Sequence, residues 1–222
     1  MHAVRSSVPA FFVAAALMAA LGCGSGAAPG GNEAKPPQTA DEAESAVPQI
    51  VGREGDVPEP LREKMRAASM DLMGSLKSKL VQELQAGGPA SAVHVCSQVA
   101  QQIADEHSSE SMQVRRVSLK VRNPKDEPDA WEQTRLRELH ARHADEDLPD
   151  EQFFVVEQDD RRYARYLKPI TIQKPCLNCH GPENQLSEEV KAKLAELYPQ
   201  DEATGYQLGD LRGAVSVRAE LR

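Results

Sequence analysis

The sequence predicts an α+β fold in which helices pack on an antiparallel β-sheet. Two stretches with apolar residues at three- and four-residue steps come first along the chain, and mostly strand-like stretches follow them. Helices and strands do not alternate in the βαβ order that a parallel sheet requires, so we expect the strands to pair antiparallel. About 165 residues remain once a signal-like start and a polar stretch are set aside, and that length suits one domain.

Residues 1–22 have the pattern of an export signal. Arg5 supplies a positive charge, and the apolar run from Val8 to Leu21 is too short to span a bilayer as a mature helix. Small residues before Cys23 resemble the cleavage site of bacterial lipoproteins, although Ala20 stands where leucine is preferred. In that interpretation Cys23 becomes the lipid-bearing N-terminus. The alternative is ordinary signal cleavage nearby, with Cys23 left free.

Residues 23–57 form a predicted disordered tether between the lipid and the folded part. They are rich in Gly, Ala, Pro and Glu and contain few large apolar residues, so they cannot bury enough surface to offset their ordering entropy. Two or more acyl chains on Cys23 would anchor the protein stably. The sequence therefore predicts an exported lipoprotein, periplasmic or elsewhere in the cell envelope, held at a membrane through its N-terminal lipid.

The net charge argues against nucleic acid as a partner. Lys and Arg number 26 against 34 Asp and Glu, and removal of Arg5 with the signal changes the balance from −8 to −9. A chain with this charge is repelled by phosphate backbones and by anionic lipid head groups. Membrane attachment is therefore expected through the lipid and not through charge.

Two helices are predicted before the first strand. The first spans Pro60 to Gln85, where apolar residues recur at steps of three and four. The run Gly87-Gly88-Pro89 ends it, because glycine and proline both interrupt a helix. The second helix begins near Ser91, and its apolar stripe includes Cys96.

The rest of the chain is predicted to contain four strands and two helices. Residues 114–121 alternate apolar and polar side chains, and two strand-like stretches flank Gln158–Arg161 as in a hairpin. Acidic residues after Ser187 favour a helix N-terminus there. In chain order the predicted elements are strand 114–121, helix 129–143, strands 153–157 and 162–172, helix 187–197 and strand 213–219.

The run Cys176-Leu177-Asn178-Cys179-His180 is the most informative motif of the chain. A C-x-x-C-H box is the attachment site of c-type haem, in which two thiols add to the vinyl groups of one porphyrin. The adjoining histidine then becomes the proximal iron ligand. The box thus predicts one covalently bound haem c, and because such haem is attached outside the cytoplasm, the export signal supports it.

Other uses of a C-x-x-C pair fit the sequence less well. A zinc site needs a second Cys/His pair at ligand spacing, and the remaining cysteines, Cys23 and Cys96, are far apart. A thioredoxin-like pair opens a helix after a strand, whereas Gly181-Pro182 directly follows this box. A disulfide within the box would be strained and would leave the histidine without a role.

The residue on the other side of the iron sets the chemistry, and the residues alone leave it open. The methionines stand at spacings usual for core residues. His140 and His143 lie among charged residues, while His107 could reach the inner face near a helix end. Cys96 has two interpretations. A buried cysteine behaves as a small hydrophobe, yet an exported protein rarely keeps an unpaired cysteine without a use.

Five segments occur together in a recognisable order: Ala92–Cys96, Arg122–Glu132, Tyr166–Ile170, Cys176–Gly181 and Gly205–Val217. In this they resemble a bacterial family of single-haem c-type domains, long catalogued as a domain of unknown function. The resemblance implies a PAS-like sheet preceded by helices over residues 58–222. It also implies histidine and cysteine as the two axial ligands, which fall on His180 and Cys96 in this chain.

Four cations are candidates to contact the haem propionates, because a guanidinium fork or an ammonium group suits a carboxylate. They are Arg115, Arg116, Arg122 and Lys168. The alternative for each of them is ordinary surface charge. The sequence does not distinguish the two interpretations for any single one.

Redox function follows from these expectations. A haem with His180 and Cys96 on its two sides suits electron transfer or the sensing of redox state or a small gas, with an unknown redox or sensor partner. The alternative is a peroxidase-like enzyme with an open distal site, in which His107 or Arg115 could serve. A third interpretation is a binding module whose haem is purely structural.

Overall fold

Five strands form one antiparallel sheet in the computed structural model, which describes residues 47–221 apart from the side chains of residues 95–98. Every neighbouring pair in the order β1-β3-β4-β5-β2 runs antiparallel. The predicted α+β class with an antiparallel sheet is confirmed. The strands are β1 (Gln49–Arg53), β2 (Met112–Val117), β3 (Gln152–Gln158), β4 (Arg161–Thr171) and β5 (Leu211–Leu221).

A long bent helix covers one face of this sheet. Helix α1 (Glu59–Glu106) consists of an N-terminal and a C-terminal arm that meet at Gly88, where φ is 74° and ψ is −173°. The break predicted from the Gly-Gly-Pro run is confirmed. Ser75 on the first arm lies 3.1 Å from His107 at the end of the second, Oγ to Nε2, so the end of the second arm returns alongside the first.

The core between α1 and the sheet contains residues from both arms and from four strands. Alternate positions of each strand point to this side, as the two-residue period of a strand requires. The fully buried members include Met65 and Leu72 of α1, Val155 of β3, Tyr166 of β4 and Val217 of β5. Burial of this apolar surface is what holds the bent helix on the sheet.

Helix α2 (Ala130–Ala144) packs on the opposite face. Asp129 caps it: its side chain accepts from the Glu132 N–H at 2.7 Å, and the Glu132 carboxylate accepts from the Asp129 N–H at 2.9 Å. Trp131 lies in the core of this face, with its ring edge-on to Phe154 at 5.5 Å between centroids. The helix predicted over 129–143 is therefore confirmed, with Asp129 as its cap.

The β3–β4 hairpin has the two-residue turn Asp159-Asp160, in which φ is 52° and 58°. Aspartate tolerates this left-handed conformation, which matches the twist of a tight hairpin. The strand predicted over 114–121 ends earlier, at Val117. The backbone N–H of Ser118 donates instead to Asp126, and its hydroxyl to Arg212, so the chain leaves the sheet there.

The disordered tether predicted over residues 23–57 is wrong at its C-terminal end, where β1 is part of the sheet. Residues Gln49–Arg53 pair with the edge of β3, and Val57 is buried in the core under α1. The large apolar residues of β1, Ile50 and Val51, are adjacent and do not alternate with polar residues, so the sequence pattern does not predict a strand. The signal, Cys23 and the tether up to residue 46 lie outside the described residues. None of the helices within residues 47–221 is long and apolar enough to cross a membrane.

Candidate haem site

The C-x-x-C-H box forms a compact helical turn directly after β4. A short 3-10 turn, Lys174–Cys176, continues into α3 (Leu177–His180), and Gly181-Pro182 stops it there. Both box cysteines are partly buried. Residues three apart on a helical turn lie on the same side of it. Both cysteines therefore lie within one helical turn, Cys176 packed beside Tyr206 and Cys179 beside Val93.

His180 is held in one orientation by a backbone carbonyl. Its Nδ1 lies 2.7 Å from the carbonyl oxygen of Ala203 and donates to it when the imidazole is neutral. Burial and the nearby Arg122 and Arg212 guanidinium groups hold the pKa of His180 well below its usual range. The neutral ring therefore keeps its Nε2 lone pair available, and this is the form in which histidine binds a metal.

The segment after α4 (Glu188–Leu197) runs back beside the box and fixes its position. The N–H of Gly205 donates to the Gly181 carbonyl and the N–H of Tyr206 to the His180 carbonyl, both at 2.9 Å. The Tyr206 ring lies edge-on to the imidazole, 6.2 Å between centroids. These contacts hold the backbone on both sides of His180 and restrict the tilt of its ring.

Arg122 links the box to the segment that follows α4. Its guanidinium pairs with Asp201 at 2.9 Å, and only 5% and 9% of the two side chains are exposed. It also donates to the Cys179 carbonyl at 2.6 Å and the Ala203 carbonyl at 3.2 Å. Arg122 was predicted as a propionate contact. In the structure its guanidinium instead binds these protein acceptors. Asp201 and Ala203 carry no local sequence signal, because their partners are distant in the chain.

The box packs against the C-terminal arm of α1. Cys179 lies in an apolar cluster with Val93 of that arm and with Val190 and Leu194 of α4. Its Sγ lies 3.8 Å from the Pro89 carbonyl oxygen, just after the break in α1. The same arm carries Cys96, the predicted second axial ligand.

The backbone position of Cys96 is part of α1, three residues after Val93 and four before Ala100, both of which are buried. Residues at these spacings share one face of a helix. The side chain of Cys96 is outside the described part of the structure. Its role as a ligand stays a prediction.

The other three propionate candidates lie on different sides of the sheet. Arg116 and Lys168 flank Val215 in the strand register and share the face under α1, whereas Arg115 lies opposite Ser216 on the α2 face. Arg116 pairs with Asp126 at 2.9 Å, and Lys168 donates to the Asp150 carbonyl at 3.3 Å. Arg115 contacts the Glu127 carbonyl and pairs with Glu132 at 3.1 Å.

The residues considered for other iron chemistry are not gathered at the box. His107 bonds Ser75, and within residues 47–221 no hydrogen bond or ion pair joins His107 or Arg115 to His180. Met65 is fully buried in the core and Met70 is 66% exposed. Within the same residues, no three His, Cys, Asp or Glu side chains are placed to hold a bare metal ion.

Comparison with known proteins agrees with this geometry. A family model described as Tll0287-like matches residues 37–219, most of the chain. The chain belongs to the Tll0287-like family. This confirms the resemblance to single-haem c-type domains drawn from the five sequence segments. None of the curated proteins compared with the chain matches it.

A solved member of the family shares the fold. The crystal structure of the cyanobacterial haem protein Tll0287 is similar to this chain with a TM-score of 0.50 and 26% sequence identity. The match covers 75% of this chain and 98% of the other. The α+β fold described above is therefore similar to that of this haem protein.

Proposed function

We propose that the chain is an exported c-type haem protein that acts in redox chemistry. One haem would be bound through thioether links to Cys176 and Cys179, with His180 as the proximal ligand. The observation that carries the proposal is the box itself, in which two thiols share a helical turn with an imidazole oriented by the Ala203 carbonyl at 2.7 Å. Membership of a family named after a haem protein supports it.

Cys96 is proposed as the second axial ligand. The C-terminal arm of α1 packs against the box through Val93, and the Cys96 position lies one helical turn further along that arm. Thiolate opposite histidine would favour the ferric state and hold the potential low. With both axial positions occupied by the protein, a bound haem would supply one-electron transfer and not oxygen or peroxide chemistry.

The chain's own residues would keep such a group rigid. Ala203 and Tyr206 fix the imidazole, and Arg122 ties the box to the segment that carries them. Arg116 and Lys168, on the α1 face, are the cations we propose for the propionates. A rigid site changes little between oxidation states, which suits an electron carrier; sensing of redox state or of a gas is the second role we propose.

Mass spectrometry and spectroscopy test this proposal on the full chain, expressed in a bacterium that matures c-type haem in its periplasm. We expect the purified protein to carry one covalent haem, and Cys176→Ala/Cys179→Ala to carry none. Cys96→Ala should keep the covalent haem but lose the low-spin thiolate signature in its ferric absorption and EPR spectra. An unmodified wild-type mass would overturn the haem assignment, and an unchanged Cys96→Ala spectrum would overturn thiolate ligation alone.

Two further measurements separate the proposed roles and the proposed location. Carbon monoxide added to the ferrous protein should leave the spectrum of an electron carrier unchanged, whereas displacement of an axial ligand would favour gas sensing. Cys23→Ser should move the protein from the membrane fraction to the soluble envelope fraction if Cys23 bears the lipid. Membrane association that survives this substitution would contradict lipid anchoring.

A further inference from the structure

A cavity of about 160 Å³ lies between the N-terminus of α2 and the sheet, on the face away from α1. Six of its lining residues are charged or hydroxylic, and none belongs to the haem box. They are Arg115, Arg165, Arg218, Asp129, Glu132 and Ser216. Two of these charged side chains, Arg165 and Glu132, are only 2% and 3% exposed, and charged groups removed from water need partners.

The strand register concentrates positive charge on this wall. Arg165 of β4 lies directly opposite Arg218 of β5, and Arg115 of β2 lies directly opposite Ser216 of β5. Two like charges at opposed positions of neighbouring strands destabilise a sheet. The pairing thus holds three guanidinium groups around one small space at a cost that a bound anion would offset.

The protein's own carboxylates do not balance these charges. Glu132 pairs with Arg165 and Arg115, both at 3.1 Å, and Asp129 pairs with Arg165 at 2.9 Å. Among the described residues, Arg218 has no carboxylate within ion-pair distance and instead stacks on Tyr163 at 3.8 Å. Three cations against two carboxylates leave one positive charge at the cavity.

Arg165, one of the residues that line the cavity, also has an unused hydrogen-bond donor. Only 2% of this side chain is exposed, and its Nε–H has no hydrogen-bond acceptor. An unmet donor in a buried cation costs free energy, and an acceptor that enters the cavity would remove the cost. At the N-terminus of α2, the N–H of Glu132 already donates to the Asp129 carboxylate and is not available to an anion.

We propose that this cavity binds one small planar monoanion, either the carboxylate of a short organic acid or an inorganic oxyanion such as nitrate. A guanidinium fork donates two parallel N–H groups, which match two oxygens in one plane. The cavity volume of about 160 Å³ suits a ligand of a few non-hydrogen atoms. The site lies on the α2 face and does not depend on the haem.

Tryptophan fluorescence is the direct test, since Trp131 is the one tryptophan of the chain and its ring lies 4.3 Å beneath the Arg165 guanidinium. Acetate, formate and nitrate are titrated separately into the full haem-loaded protein. Each anion replaces chloride in the buffer, so that the ionic strength stays constant. We expect a saturable change with at least one of the three. Saturation by acetate or formate alone identifies a carboxylate, and saturation by nitrate alone identifies an inorganic oxyanion.

Arg218→Gln tests the site and Arg161→Gln is its control, because the Arg161 side chain is 65% exposed and outside the cavity. Arg218→Gln should weaken binding about tenfold or more, since it removes a charged hydrogen bond to the anion. Arg161→Gln should bind as the wild type does. The melting temperature should rise with anion in the wild type and the control, and less in Arg218→Gln.

The proposal is overturned if no anion gives a saturable signal, or if Arg218→Gln and wild type bind equally. The Soret band provides the remaining check. It should stay unchanged at saturating anion, whereas a Soret shift with the same midpoint in wild type and Arg218→Gln would place the anion on the iron and not in this cavity.

Discussion

At the scale of single residues, the buried pair Arg122–Asp201 determines whether the box keeps its shape. The two charges are almost fully removed from water, and the guanidinium also satisfies the carbonyls of Cys179 and Ala203. Buried ion pairs are stabilising only as complete units, because a partner left alone keeps the desolvation cost without the attraction. This makes Arg122 a structural part of the site although it touches neither box sulfur.

We predict that Arg122→Ala lowers the free energy of unfolding by about 3–5 kcal/mol, because it leaves Asp201 buried and unpaired. Urea unfolding followed by circular dichroism measures the change. Arg142→Ala is the matched control: its ion pair with Asp147 is exposed, with 39% and 73% of the two side chains accessible, and its loss should cost less than about 1 kcal/mol. Equal losses in the two variants would contradict the structural role of Arg122.

His140 on α2 makes stability depend on pH. Burial, and then the charges of His143 and Lys120, lower the pKa of His140. The unfolded chain therefore binds more protons than the folded chain as the pH falls below about 6.5, the ordinary histidine value. The stabilisation that comes from keeping His140 neutral is present above that pH and is lost as the pH falls. The free energy of unfolding should therefore decrease from pH 7.5 to pH 5.5.

Unfolding curves at several pH values check this, with His140→Gln as the test variant. The slope of stability against pH should be smaller in His140→Gln than in the wild type, and the slope that remains includes the contribution of His180, whose pKa is also lowered by burial. It should shrink partly in His143→Gln, which removes one of the two neighbouring charges. A slope in His140→Gln equal to that of the wild type would assign the dependence to other groups.

How much of the site the sequence predicts depends on how local each signal is. The box residues are adjacent, so their spacing alone predicted that both cysteines and the histidine lie close together. Arg122 and Asp201 are 79 positions apart, and the Ala203 carbonyl is 23 positions from the imidazole it orients. A backbone carbonyl has no side-chain signature, so this part of the site follows only from the folded chain.

At the scale of elements, the break in α1 positions the haem box. The two arms meet at Gly88, and the Pro89 carbonyl directly after it contacts Cys179. A φ of 74° with ψ near 180° is a conformation that essentially only glycine adopts. The bend therefore depends on this one residue type.

We predict opposite effects for two alanine substitutions in α1. Gly88→Ala should destabilise the protein by about 1–3 kcal/mol, because a side chain strains this backbone conformation. Gly74→Ala should stabilise it by about 0.5–1 kcal/mol, because Gly74 is exposed within a regular stretch and an added Cβ meets nothing within 4 Å. Thermal unfolding of both variants measures these changes. Changes in stability of the same sign in the two variants would contradict the predicted difference between the two positions.

The elements that were predicted well have strong local signals. The helix that begins after Asp129, the turn at Asp159-Asp160 and the break at Gly88 each have a characteristic residue where the backbone conformation requires it. The end of β2 and the whole of β1 were missed for a common reason. Both depend on hydrogen bonds to distant strands or loops, and the pattern of apolar residues in the sequence carries no trace of those bonds.

At the scale of the whole molecule, the sheet separates two sites of different chemistry. The haem box packs against α1 and α4, whereas the cationic cavity lies on the α2 face. Strand β5 contributes to both sides, since Val215 belongs to the α1 core and Ser216 and Arg218 line the cavity. Strand β5 therefore lies between the α1 core on one face and the cavity on the other.

Strand β1 also protects the sheet, and its removal is the last prediction. It covers the edge of β3, whose Phe-Phe-Val-Val run is strongly β-forming. Deletion of residues 24–53 should leave the core folded, because β1 is largely exposed, but should open that edge to pairing between molecules. We expect larger species in analytical ultracentrifugation at rising concentration. Deletion of residues 24–46 retains β1 and should sediment like the full chain, and identical behaviour of the two deletions would show that β1 does not protect the edge.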